Sequence, residues 1–160
     1  MECKTIACQL PTAGKSKYCR DHRQAARASW LERVRASEAE RAGAYEALAE
    51  LFERAAAAGE AAGAAAIPDT MIVSDERTGE NWHVPEGPCG FASVIIRPGT
   101  SRAARFAKIH HNARRAYYGG TAISVHSYGQ SVTRKSAHAE AMAAVLREGG
   151  VNARAESRLD

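Results

Sequence analysis

The chain has 160 residues, 45% of them hydrophobic and 25% charged, with a net charge of +4. That length fits one domain or two small ones and excludes a large enzyme. No apolar run approaches the ~18 residues of a membrane span, and the N-terminus lacks the basic-then-apolar pattern of a secretory signal, so a reducing cytoplasm is the expected location.

The first stretch carries Cys3, Cys8, Cys19 and His22 in the spacing C-x4-C-x10-C-x2-H, with Pro11, Gly14 and Lys15 in the loop between the pairs. Two close soft ligands, a polar turn-rich loop and a second close pair form the pattern of a closed tetrahedral zinc site. Unrelated thiols and imidazoles, or two disulfides in a secreted chain, are the competing readings. The clustering of three of the four cysteines with a histidine favours zinc. No further Cys or His lies nearby to leave an open position, so the expected ion is one structural Zn2+ held by Cys3, Cys8, Cys19 and His22. The arrangement resembles treble-clef-like fingers, over about 25 residues, in which a knuckle carries the first ligand pair and a helix start the second. Such fingers serve nucleic acid and protein contacts alike.

From Gln24 to about Ala58 proline is absent, Gly43 is the only glycine, and Ala, Glu, Arg and Leu dominate, which predicts a long helix. Trp30, Leu31 and Val34, then Tyr45, Leu48, Leu51, Phe52 and Ala55, recur at helical spacing. A narrow stripe needs a partner: the chain's own C-terminal domain, another protein, or a second copy. Tyr45, Leu48, Phe52 and Ala55 step near the heptad average, which favours a homodimer through this helix, and Arg33 or Arg41 of one chain can meet Glu46, Glu50 and Glu53 of the other in an antiparallel pair. The Ala/Gly run 59–68, with Gly59 and Gly63 as breakers, reads as a linker. The expected domains are a finger at 1–25, the helix at 26–58, the linker, and an α/β domain at 69–160.

After Pro68 the pattern turns extended. Thr70–Ser74 and Asn81–Val84 flank a polar turn ending in Gly79, a hairpin signal. Cys89, alone between Pro88 and Gly90, reads as a small buried or turn residue. Phe91–Arg97 reads as a strand. A helix capped by Thr100 or Ser101 then runs to about Tyr117 and stops at Gly119-Gly120. Thr121–Ser127 is a strand, Thr133 caps a second helix to about Glu148, and Val151–Glu156 is a last strand. The expected fold is α+β: a zinc finger, a long helix, then a small mixed sheet covered by two helices, built as a β-hairpin followed by β-α-β-α-β.

Gly90-Phe91-Ala92-Ser93-Val94, Gln130-Ser131, Glu140-Ala141 leading to Val145-Leu146-Arg147, and Ser157-Arg158-Leu159-Asp160 give residues 90–160 a resemblance to small uncharacterised proteins encoded by actinobacterial phages and prophages. The resemblance implies a phage origin and brings no activity with it.

Charge is segregated along the chain. Residues 1–36 hold eight Lys/Arg and three Asp/Glu, +5; residues 37–90 hold three and eleven, −8; residues 91–160 hold eleven and four, +7. Basic blocks are the electrostatic footprint of phosphate binding, and solvated helix faces are the plainer explanation. The candidate contacts are Lys15, Lys17, Arg20, Arg23 and Arg27 on the finger and long helix, and Arg102, Arg105, Lys108 and Arg115 beside a buried stripe of Phe106, Ile109, Ala113 and Ala116. Arg134 and Lys135 join them near the next helix start. His138-Ala139-Glu140 matches the H-x-E of zinc deaminases, but no P-C-x-x-C follows, so His138 reads as a core histidine. No hydrolase elbow, phosphate loop or dinucleotide fingerprint occurs. The expected function is non-catalytic nucleic-acid binding, DNA above RNA. The alternative is a module that binds a host or phage protein, favoured by the acidic middle and the striped helix.

Overall fold

The computed structural model describes residues 2–5, 7–13 and 16–160. The chain divides into two compact units, Met1–Tyr45 and Glu46–Asp160. Helix α1 (Arg20–Ala65) contributes its first part to the first unit and its second part to the other.

In the first unit, residues 2–5 and 7–13 form a turn-rich knuckle closed by a bridge between Glu2 and Pro11, and the helix starts directly after Cys19. Trp30 and Leu31 are exposed on it.

The second unit is α+β. A separate antiparallel hairpin pairs β1 (Met71–Ser74) with β2 (Asn81–Val84). The main sheet has the order β4-β5-β3-β6, from β3 (Gly90–Ile96), β4 (Arg114–Arg115), β5 (Thr121–Ser124) and β6 (Ala153–Leu159). Every pairing in it is antiparallel, so the expected mixed sheet is corrected. The reason is connectivity: α3 (Val132–Glu148) returns the chain to the far side of β3 running opposite to it.

One face of this sheet holds the core. Ala92, Val94 and Ile96 alternate along β3 and meet Ile123, Ala153, the alanines and Phe106 of α2 (Arg102–His110), and Ala139, Met142, Ala143 and Leu146 of α3. Small side chains on α2 and α3 let both helices approach closely. Leu51, Phe52 and Ala55 of α1 complete the cluster, with the Phe52 and Phe106 rings 5.1 Å apart. Phe52 and Ala55 are 0% exposed. That part of the heptad seam is therefore spent inside the chain rather than on a second copy.

Several expected boundaries move, among them that of β6, which runs Ala153–Leu159 rather than 151–156. The Ala/Gly run is helix up to Ala65, because Gly59 and Gly63 are buried where α1 crosses His138 and Tyr128. Helix α2 ends at His110 instead of about Tyr117: Asn112 takes φ 48°, and the chain turns into β4. Ile109 is consequently exposed and outside the core stripe. Helix α3 starts two residues early, with Ser131 rather than Thr133 at its N-cap.

Candidate metal centre

The four ligand residues come from two local structures. In the knuckle, the Cys8 N–H donates to Thr5 O at 3.1 Å, and Ala7 takes φ 63°, which turns the backbone so that Cys8 faces Cys3. The Lys4 N–H donates to Lys17 O at 3.0 Å and ties the knuckle to the second ligand segment. Cys19 caps α1, its carbonyl accepting from the Arg23 N–H at 3.1 Å, and His22 lies in the first turn. A spacing of three on a helix start puts both side chains on one side.

The ligand atoms of Cys3, Cys8, Cys19 and His22 all lie within 4.8 Å of one another, so the cluster can hold one metal ion. His22 presents Nδ1, 3.1 Å from Cys19 Sγ and 3.4 Å from Cys3 Sγ, and Cys8 Sγ stands 3.9 Å from Cys19 Sγ. A tetrahedral ion with metal–sulfur bonds of about 2.3 Å and a metal–nitrogen bond of about 2.0 Å sets sulfurs about 3.8 Å apart and sulfur from nitrogen about 3.5 Å. The observed distances are close to the edges of that tetrahedron.

The surroundings favour thiolate at Cys3. The Thr5 hydroxyl, 3.5 Å from Cys3 Sγ, is the largest influence bringing the Cys3 thiol down to about 6; the Cys19 N–H, donating at 3.3 Å, acts in the same direction. At Cys8 the Leu10 backbone pulls the thiol down, but burial and the neighbouring Cys19 and Cys3 sulfurs outweigh it, so the net shift is upward. Three sulfurs this close cannot all carry charge without a cation among them. Thr5 is a supporting residue that the cysteine spacing did not disclose. A hydroxyl two residues after a ligand cysteine is the signal for it.

The basic candidates separate into groups. Lys15 lies outside the described residues. Lys17, Arg20, Arg23 and Arg27 are exposed, and the three arginines, at steps of three and four, share one helix face. Arg102 and Arg105 are exposed on α2, where Lys108 Nζ donates to Gly99 O at 3.1 Å. Arg115 is exposed but sits on β4, off the helix face expected for it. Arg134 and Lys135 are taken up by the fold. Arg134 pairs with Glu86 at 3.0 Å and donates to the Gly63 and Ala64 carbonyls at 3.3 and 3.0 Å, satisfying the free end of α1. Lys135 is 5% exposed, its Nζ donating to Gly90 O at 3.0 Å and lying 5.6 Å from the Phe91 ring centroid. It cannot serve as a surface phosphate contact.

Among the other titratable groups, His138 is half-buried and its Nδ1 lies 3.3 Å from the Tyr128 hydroxyl. Burial lowers its pKa against the raising effect of Glu60. Cys89 is exposed rather than buried. Among the described residues no helix is long and apolar enough to cross a membrane. Comparison of the chain with protein-family models, curated proteins and solved structures finds no match.

Proposed function

We propose that the chain is a zinc-stabilised nucleic-acid-binding protein, acting on DNA and without catalytic activity. Zinc is the ion of choice because three thiolates and one imidazole in a closed tetrahedron suit its soft, geometry-tolerant coordination. Thiolate ligands of this kind persist in a reducing compartment, which supports a cytoplasmic location.

One observation carries the binding reading. The helix whose first turn supplies a metal ligand also carries Arg20, Arg23 and Arg27 on one exposed face. None of the three takes part in the ion pairs formed among the described residues, which join Arg134 to Glu86 and Arg154 to Glu156. Unneutralised guanidinium groups in a row suit a phosphate backbone.

The test is the salt dependence of binding to random-sequence duplex. Replacing all three arginines with glutamine should reduce the slope of log K against log salt by about 2.7, at about 0.9 per phosphate contact. Absence of duplex and single-strand binding at low salt would overturn the reading. A protein-interaction module is then the second reading, favoured by exposed Trp30 and Leu31 on the same helix.

A further inference from the structure

The main sheet has a second face, opposite the core. Directly opposed residues of antiparallel strands point to the same side, so the register fixes what this face carries. Arg114 stands beside Ala122, Ser124 beside Ser93, and Phe91 beside Arg158. Arg114, Ser124, Phe91 and Arg158 are all exposed; on the same face Ile95 is buried, and Glu156, opposite Ser93, is paired with Arg154. The Arg158 guanidinium carbon lies 5.1 Å from the Phe91 ring centroid, a cation held against an aromatic face.

The turn between β4 and β5 adds a second, independent feature. Gly119 and Gly120, at φ 85° and 93°, close it, and Arg97 donates to Tyr118 O at 2.9 Å. At its tip Tyr117 is 93% exposed and Tyr118 79%, and their rings meet edge to face with centroids 4.9 Å apart. Two neighbouring rings held out in water at the end of a sheet that carries exposed Arg114 are the elements of a stacking platform for unpaired bases. A duplex keeps its bases stacked inside and offers such rings no faces.

We propose that the open face of the β4-β5-β3-β6 sheet, from Phe91 to the Tyr117–Tyr118 tip, binds single-stranded DNA, with the two tyrosines stacking on bases and Arg114 and Arg158 holding backbone phosphates. This rests on the nucleic-acid reading above and adds to it a strandedness and a site. Charge complementarity favours this occupant: residues 91–160 carry +7, and neither Arg114 nor Arg158 is neutralised by an ion pair among the described residues.

The test uses the full zinc-loaded chain and two labelled probes, an oligo-dT of about 15 nucleotides and a duplex of the same length. Replacing Tyr117 and Tyr118 together with alanine should weaken oligo-dT binding at least tenfold, by roughly the loss of one to two stacked bases, and change duplex affinity less than twofold. The double phenylalanine variant, which keeps the rings, should bind oligo-dT as the parent does. Arg114→Gln with Arg158→Gln should lower the single-strand salt slope by about 1.4, at about 0.7 per contact. Unchanged oligo-dT affinity in the double alanine variant, with parent binding intact, overturns the site alone. Parent protein that binds neither probe overturns the nucleic-acid reading with it. Equal loss on both probes overturns the assignment to single strands.

Discussion

Ala7 holds φ 63°, a backbone conformation that costs an L-residue roughly 1 kcal/mol and a β-branched one more. The knuckle imposes it so that Cys8 can face Cys3. Ala7→Val should therefore weaken metal affinity at least tenfold in a competition titration, whereas Ala7→Gly should not weaken it. The half-buried histidines give a second residue-scale prediction. Burial lowers the pKa of His138, and burial with the neighbouring His110 lowers that of His111, both below the usual 6.5. The unfolded chain then binds protons that the folded chain does not. Their contribution is fully present above pH 6.5 and is lost as pH falls through that value toward the folded pKa values. Urea midpoints should drop between pH 7.5 and 5, and His138→Gln should flatten part of the drop. The cluster of Cys3, Cys8, Cys19 and His22 is legible in the sequence because its geometry is local: spacing alone brings Cys19 and His22 onto one helix start. Lys135 was not legible. A lysine beside an arginine reads as surface, and only tertiary packing reveals Gly90 O as its acceptor.

The glycines of α1 show the same limit at the scale of elements. In isolation each Gly in a helix is a weak point, costing about 1 kcal/mol relative to alanine. That reasoning reads residues 59–68 as a linker. The structure keeps Gly59 and Gly63 helical because a Cβ there would stand 2.7 Å from the His138 ring and 2.5 Å from that of Tyr128. The Tyr128 hydroxyl also donates to Glu60 O at 3.1 Å, which holds its ring against the helix. A Cβ at Gly43 would meet nothing within 4 Å outside its own helix backbone. Opposite outcomes follow for one substitution. Gly43→Ala should stabilise the helix by up to about 1 kcal/mol, and Gly63→Ala should destabilise the second unit by about 1–3 kcal/mol through overpacking. Thermal or urea melts of the two variants check both signs. The premature end of α2 was hidden for a related reason. Gly119-Gly120 is the stronger stop signal, yet it belongs to the β4–β5 turn, and Asn112 in the left-handed region is what ends the helix.

At the scale of the molecule, two sources of order coexist in one chain, and they can be separated. The core cluster is drawn from Leu51 onward, within Glu46–Asp160. It contains the buried faces of β3, α2 and α3 and the Phe52 side chain of α1, so this unit has a hydrophobic reason to fold without any ion. Among the described residues of Met1–Tyr45 the buried hydrophobic ones are Cys3 and Cys19, both members of the cluster that can hold a metal ion. A unit this small, with no apolar cluster among its described residues, would draw its stability from an ion bound at that cluster, since binding free energy is then folding free energy. The helix between the two is long, but isolated helical segments are marginal in water unless something packs on them. Strong chelation at pH 7.5 should therefore abolish structure in the first unit while leaving the melting midpoint of the second in place. Phe52→Ala should do the reverse, costing the second unit about 3–5 kcal/mol while the metal content of the chain stays at one equivalent. Amide hydrogen exchange reads the two units separately in a single sample. Protection should disappear in residues 2–45 on chelation and persist in β3 and α3. A single cooperative loss across both would show that the ion and the core stabilise one unit, and would sink the division.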